Sequence, residues 1–298
     1  MRLAELFKTP PVSERRPDPR PNDNDLDLFG MTHPGIVRAE NQDHFLLCTV
    51  HPQVVVHGTS LPVPEELPLR GQRLATILLV ADGVGGTAAG ADASRLATET
   101  VTKYVTSSLR CYHTAGSANE NEFLDALRAA AVEAHIAVRT DSATRLQGQS
   151  TATTLTLGFV VWPWLYVVQV GDSRCYYYSD GKLRQVSRDQ TVAQDLVDQG
   201  LLNPARASAS HLTHVLSSAI GAIEAKPVVT RVAVGRRGSV VLVCSDGLTK
   251  HVSDAEIADY LHTMQSSEQV CRALVDLALE RGGSDNITVV IGRARPAP

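Results

Sequence analysis

No two cysteines in this 298-residue chain are spaced as metal ligands or as the framework of a small disulfide-bonded domain. Cys48, Cys111, Cys175, Cys244 and Cys271 are odd in number, scattered and free of any CxxC or Cys/His pattern. They read as reduced thiols, three of them in apolar strand-like runs where a thiol behaves as a small hydrophobe. That excludes a zinc site and points to a reducing compartment. A run of Lys and Arg is also lacking. With a net charge of -4 and no basic cluster, no nucleic-acid partner is expected. The opening MRLAELFKTPPVSERR carries charges and prolines where an export signal needs an apolar core. No apolar run is long enough to span a bilayer. The expectation is a cytoplasmic protein without membrane association. No internal repeat is present, and 43% hydrophobic with 20% charged residues is ordinary for a chain that buries a full core.

What is there divides into two textures. Residues 1–27 are rich in Pro, Arg and Asp and are expected to form a disordered tail or a docking arm. Residues 28–294 alternate short β-rich runs with a few amphipathic helices. Strands are predicted at Phe45–Val50, Ala75–Ala81, Thr151–Val160, Trp164–Val170, Arg174–Tyr178, Val228–Val234, Ser239–Cys244 and Asn286–Ile291, each dense in β-branched or aromatic residues. Trp162-Pro163 separates two strands as a turn, and Asp180-Gly181 is a strong hairpin signal. Phe123, Leu127, Ala130, Ala131, Ala134 and Val138 recur at helical spacing, as do Ala97, Val101, Tyr104 and Val105. Ser253 with Glu256, and Ser266 with Gln269, read as capping boxes. Residues His51–Arg73 read as a long connection. Two layers of mostly antiparallel strands with helices outside fit this order.

Five segments place an acidic residue beside glycine or at a strand end: Arg38-Ala39-Glu40-Asn41-Gln42-Asp43, Ala81-Asp82-Gly83, Gly171-Asp172-Ser173-Arg174, Cys244-Ser245-Asp246-Gly247-Leu248 and Gly282-Gly283-Ser284-Asp285-Asn286. An Asp at the end of a fully apolar strand sits where the core opens to solvent. Two such carboxylates on neighbouring strands repel unless they share a cation or a proton. Glycine lets the backbone approach an ion and offer its carbonyl. Hard oxygen donors suit Mg²⁺ or Mn²⁺ and disfavour zinc. Any one Asp-Gly is more simply a turn; their joint occurrence carries the argument.

The ordered set GxxR…NQD, DGxGG, TATT, GDSR, SDGL and GSDNIT resembles the metal-dependent protein phosphatases of type 2C, in particular their compact bacterial members, from about Gly30 to Gly292. The resemblance implies an α+β fold, an α/β/β/α sandwich of two antiparallel sheets flanked by helices, with 28–294 as the catalytic domain. It implies hydrolysis of phosphoserine and phosphothreonine in proteins, by a water activated between two divalent cations, Mn²⁺ or Mg²⁺, without a covalent intermediate. Asp82 then corresponds to the carboxylate bridging both ions, Gly83 to a carbonyl ligand, and Asp246 and Asp285 to the remaining carboxylate ligands. Asp43 corresponds to an acid acting on the first ion through its waters, and Arg38 to the arginine gripping the phosphate. Asp172 corresponds to a ligand of a looser third ion, Asn286 to the partner that helps fix the Asp285 loop, and Gln42 to a side chain that hydrogen-bonds a metal's water. Phosphoprotein substrates, a bacterial Ser/Thr kinase whose action is reversed, and a monomeric state complete these expectations.

Some positions depart from the family pattern. Val84 stands where animal relatives have a His proposed as general acid. Gln42 replaces a Glu ligand of some relatives, and Lys250 stands where some have a further acidic ligand for the third ion. The stretch Asp189–Ser210 resembles a flap beside the active site; His211 and His214 follow it and read as ordinary surface or core residues. The rival readings are a non-catalytic member of the fold, a His-rich phosphodiesterase and a Ca²⁺-binding adhesion module. The retained aspartates, the absence of paired His motifs and the missing export signal weigh against them in turn.

Overall fold

The computed structural model describes residues 16–53, 55–56, 60, 69–85, 88–115, 120–145, 151–207 and 210–296. In chain order the elements are β1 (Leu26–His33), β2 (Asp43–Val50), β3 (Ala75–Val84), α1 (Ala88–Ala115), α2 (Glu120–Arg145), β4 (Ala152–Thr153), β5 (Leu155–Val161), β6 (Trp164–Val170), β7 (Arg174–Ser179) and β8 (Lys182–Gln185). They continue with α3 (Val192–Asp198), α4 (Pro204–Ala207), β9 (Val228–Ala233), β10 (Val240–Cys244), α5 (Asp246–Thr249), α6 (Asp254–His262), α7 (Ser267–Glu280) and β11 (Ile287–Ala294). One sheet runs β2-β3-β5-β6-β9, with β4 paired to the end of β3; the other runs β1-β11-β10-β7-β8. Every pairing is antiparallel. The expected α/β/β/α sandwich is therefore the observed one.

Strand parity explains the layers. On β3, Ile77, Leu79 and Ala81 face α1 and α2, joining Val101, Leu127 and Ala134, whereas Leu78 and Val80 face the opposite sheet. A strand buried on both faces reads as a continuous apolar run, as β3 does. The second sheet mirrors this arrangement. Leu242 and Cys244 pack under α6 and α7, while Val241 and Val243 turn inward to meet Leu78, Leu165 and Val290. Cys175, Cys244 and Cys271 are buried and free, and burial raises their thiols above the ordinary range.

Local signals set the boundaries. Asp180 and Gly181 both adopt positive φ, 53° and 74°, in the β7–β8 hairpin, as a two-residue turn of matching twist requires. Ser253 and Glu256 form a reciprocal capping box at α6. Ser266 accepts from Gln269 N at α7, but the Gln269 side chain bonds Gln265 N, one residue before the box would have it.

The amino-terminal expectation needs correcting. Residues 17–25 are not a free tail. Asp18 N donates to Gly235 O, Trp162 Nε1 donates to Asp18 O, and Arg237 N donates to Asp18 Oδ2. Arg73 pairs with Asp23 at 2.7 Å and donates to Pro21 O, and Arg237 pairs with Asp25 at 2.8 Å. The acidic residues that gave the segment its disordered look each meet an arginine of the body, so it forms a strap across one end of the sandwich. β1 begins at Leu26, two residues before the expected domain boundary. Residues 1–15 and most of the 51–73 connection lie outside the described residues.

Candidate metal centre

The inner layer changes chemistry at the end opposite the strap. Following inward parity along β3, Leu78 and Val80 are succeeded by Asp82; on β2, Leu47 and Phe45 lead back to Asp43, which is register partner of Asp82. On β10, Val241 and Val243 are succeeded by Ser245, and on β11 Val290 is preceded by Thr288. The apolar filling thus gives way to two carboxyls facing each other and two hydroxyls opposite them. Ser245 Oγ and Thr288 Oγ1 both donate to Asp43 Oδ2, at 2.7 and 2.6 Å. Behind Thr288, Asn41 Nδ2 donates to Thr32 Oγ1, which lies 2.8 Å from Thr288 Oγ1.

Asp82 is fixed from the other side. Its backbone N donates to Thr154 Oγ1, its carbonyl accepts from Thr153 Oγ1, and Thr154 Oγ1 bonds Ser173 Oγ at 2.7 Å. The TATT segment therefore ties the Asp82 turn to the turn carrying Asp172. Gly83 is required by its surroundings: a Cβ there would lie 2.4 Å from Gly90 O and 2.9 Å from Gln42 O. Gln42 N donates to Asn286 Oδ1, and Asn286 Nδ2 donates to Pro34 O and Glu40 O. Asn286 thus braces the 34–42 loop that carries Arg38 more than its own loop.

Asp246 opens α5 directly after β10, and Asp285 lies just before β11. Arg38 forks onto Asp285, Nε to Oδ1 at 2.8 Å and an Nη to Oδ2 at 3.0 Å. Lys250 follows Asp246 by one helical turn, and its Nζ lies 2.7 Å from Asp246 Oδ2 and 2.8 Å from Asp285 Oδ2. Arg38, Asp172, Asp246, Lys250 and Asp285 line one open cleft, with Thr191, Gln194 and Pro204 of the 189–210 stretch on its far side. His214 also lines it; His211 does not.

The electrostatics follow from this placement. Burial, against the hydrogen bonds from Thr288 and Ser245, pushes Asp43 up to about 6. Burial and the facing Asp43 charge raise Asp82 well above the carboxylate range. Asp172 is pushed up to about 8 by burial and by the Asp246 and Asp189 charges. Burial also acts on Asp285, but the hydrogen bonds from Arg38 and Lys250 outweigh it and hold that carboxyl below its ordinary value.

The donor set fits hard divalent cations. Asp43 Oδ1 and Asp246 Oδ1 are buried without a hydrogen-bonding partner, the condition in which a carboxylate oxygen calls for an ion. The donors are all oxygen, as Mg²⁺ and Mn²⁺ prefer. Among the described residues, no group of three or more His, Cys, Asp or Glu side chains stands closed around an ion position. Arg38 and Lys250 hold Asp285 and one Asp246 oxygen to the outer side instead. The sequence motifs carry Asp43, Asp82, Asp172, Asp246 and Asp285 but give no site role to Ser245, Thr288, Ser173 or Asp189. Continuing the inward parity of β10 and β11 past their ends would have found the first two.

Carboxylates drawn from both sheets and meeting at one mouth define a sandwich protein with an oxygen-donor centre between its layers. The chain belongs to the protein phosphatase 2C family, whose sequence model matches residues 69–280. It is 35% identical over 219 residues to the serine/threonine protein phosphatase PstP of Mycobacterium tuberculosis, covering 73% of this chain and 40% of that protein. The serine/threonine phosphatase stp of Listeria welshimeri is 30% identical over 218 residues, 72% of this chain and 83% of its own length. Among solved structures, the catalytic domain of PstP in complex with two manganese ions superposes with a TM-score of 0.69 at 30% identity, covering 91% of this chain and 98% of that one. The chain thus spans less than half the length of full PstP.

Proposed function

We propose that this protein is a metal-dependent phosphatase that hydrolyses phosphoserine and phosphothreonine in other proteins. The observation that carries the reading is the pair of partnerless buried oxygens, Asp43 Oδ1 and Asp246 Oδ1, at the mouth of the layer between the sheets. Membership of the phosphatase family and the two manganese ions of the PstP catalytic domain support it.

Asp82, the Gly83 carbonyl, Asp246 and Asp285 would hold two divalent cations, Mn²⁺ or Mg²⁺, with Asp43 acting beside the first. When bound, these ions supply Lewis acidity and a nucleophilic water at neutral pH. The chain's own groups do the rest. Arg38, 47% exposed on the 34–42 loop, presents a planar fork of donors suited to phosphoryl oxygens once Asp285 is engaged elsewhere. Ser245 and Thr288 hold Asp43 by its Oδ2 and so fix the orientation of its carboxyl. Val84, at the end of β3, has no proton to give, so it cannot serve as the general acid for the leaving oxygen. Asp172, on the cleft wall, is the candidate for a weaker third site.

Phosphorylated products of a bacterial Ser/Thr kinase are the proposed substrates, with the body from the strap to residue 294 acting as a cytoplasmic, monomeric catalytic unit in signalling. No helix of the described residues is long and apolar enough to cross a membrane. The test is hydrolysis of a phosphothreonine peptide with Mn²⁺, with Mg²⁺ and with a chelator, alongside Asp246→Asn. Metal-dependent turnover that falls at least about 100-fold in the variant is expected, the scale of losing an electrostatic partner of the reaction. A folded wild type that stays inert at saturating metal overturns the reading.

A further inference from the structure

The carboxylate oxygens of the centre are of two kinds. Asp43 Oδ1 and Asp246 Oδ1 face inward with no partner. Asp246 Oδ2 and both oxygens of Asp285 face outward and are fully engaged by side-chain cations. Of the two cations, Arg38 is the looser, about half exposed on its loop. Lys250 is the tighter. Its side chain is only 22% exposed, its backbone N donates to Asp246 O at 2.8 Å, and its ammonium turns back onto the carboxylate of its own helical turn.

From this geometry we infer that Lys250 is a tethered competitor for the outer cation position. Its ammonium sits where an ion shared by Asp246 and Asp285 would sit, so the outer divalent ion binds only by displacing it. The inference rests on the proposed roles of Asp246 and Asp285 as ligands. The physical argument is one of charge and contact. An inner ion takes up oxygens that bond nothing else. An outer ion must break two charge-assisted hydrogen bonds and then tolerate a displaced ammonium that its tether keeps in the same cleft. Asp172 lines the same cleft and feels the Lys250 charge. Two positions of unequal affinity follow, with Lys250 setting the weaker one. Displacing Lys250 and Arg38 together also frees a guanidinium and an ammonium at the rim, where a phosphoryl group would arrive.

The experiment is calorimetric titration of the metal-free protein with Mn²⁺ at one pH and ionic strength, for wild type, Lys250→Met, Lys250→Gln, Lys250→Arg and Asp246→Asn. Circular dichroism of each variant in chelator confirms folding, and the glutamine variant serves if the methionine one does not fold. Removing the ammonium is expected to tighten the weaker step by about tenfold or more, the scale of one charge-assisted contact, and to leave the tighter step within about twofold. Lys250→Arg, which keeps the cation, is expected to stay close to wild type. A weaker step unchanged or loosened in both neutral variants, while Asp246→Asn loses a step, overturns the competitor role alone. Two unchanged steps in Asp246→Asn remove Asp246 from the ligand set and overturn the competitor role together with its premise.

Discussion

Asp43 owes its orientation to two hydroxyls, and that dependence can be measured. Thr288→Val keeps the side-chain shape but removes one donor to Asp43 Oδ2 and the bond to Thr32. A buried, ionised acceptor deprived of a donor costs about 1–3 kcal/mol. Urea denaturation in chelator near neutral pH should show a loss of that size with an unchanged slope; an unaltered midpoint would contradict the assigned hydrogen bond. Asp82, Asp172 and Asp246 were legible in the sequence, because an Asp beside glycine at the end of an apolar run is a visible signature. Asp43 and Asp285 stand at or before the start of their strands and were legible only through the ordered set of motifs. Ser245 and Thr288 lay inside the same motifs without a role, since a hydroxyl in a turn looks alike whether it caps the backbone or holds a carboxylate. Lys250 was legible as the absence of an acid. Where its ammonium would go depends on Asp285, 35 residues further along the chain.

At the scale of elements, the sequence revealed the strands buried on both faces and two of the edge strands, β2 and β9, and missed the edge strands β1 and β8. Trp164–Val170 is observed with the expected bounds. β1, at the edge of its sheet, is only half-buried throughout, and Gly30 interrupts its alternation, so Leu26–His33 offered no apolar run to read. Both long helices extend beyond their periodic cores, to Ala88–Ala115 and Glu120–Arg145. α5 shows how tightly the site's elements are set. A Cβ on Gly247 would stand 1.9 Å from Asn286 O, so the first turn of α5 lies directly on the Asp285–Asn286 backbone. Gly247→Ala should therefore cost about 1–3 kcal/mol as an overpacked contact and reduce metal-dependent turnover by shifting Asp246 relative to Asp285. Thermal melts and kcat measured together test this. A variant with wild-type values in both would mean that the loop yields without consequence.

The whole molecule stores repulsion in its centre, and pH exposes it. Unfolded carboxyls titrate near ~4. Asp43, pushed up to about 6, and Asp172, pushed up to about 8, are raised in the folded protein by burial. The folded state then keeps protons that the unfolded chain has released, and stability falls as pH rises. Their contribution is fully present below the unfolded value and is lost as pH climbs through about 6 and then about 8. Asp285, lowered by Arg38 and Lys250, has the opposite sign and loses its contribution only as the solution becomes strongly acid. In chelator the melting temperature should decline from mildly acid to mildly alkaline pH, and the gain on adding Mn²⁺ should widen over the same range. A flat profile in chelator would show that the carboxyls are not enclosed as described. The order in which strands pair, which creates this enclosure, was not legible locally: β1 and β11 meet from opposite ends of the chain.

The strap has a geometric consequence of its own. Asp18, Asp23 and Asp25 are anchored where β3 and β10 begin, whereas the carboxylates gather where those strands end. Residue 16 therefore leaves the body at the pole facing away from the cleft. The strap thus takes no part in walling the cleft and leaves the approach of a phosphorylated chain unobstructed.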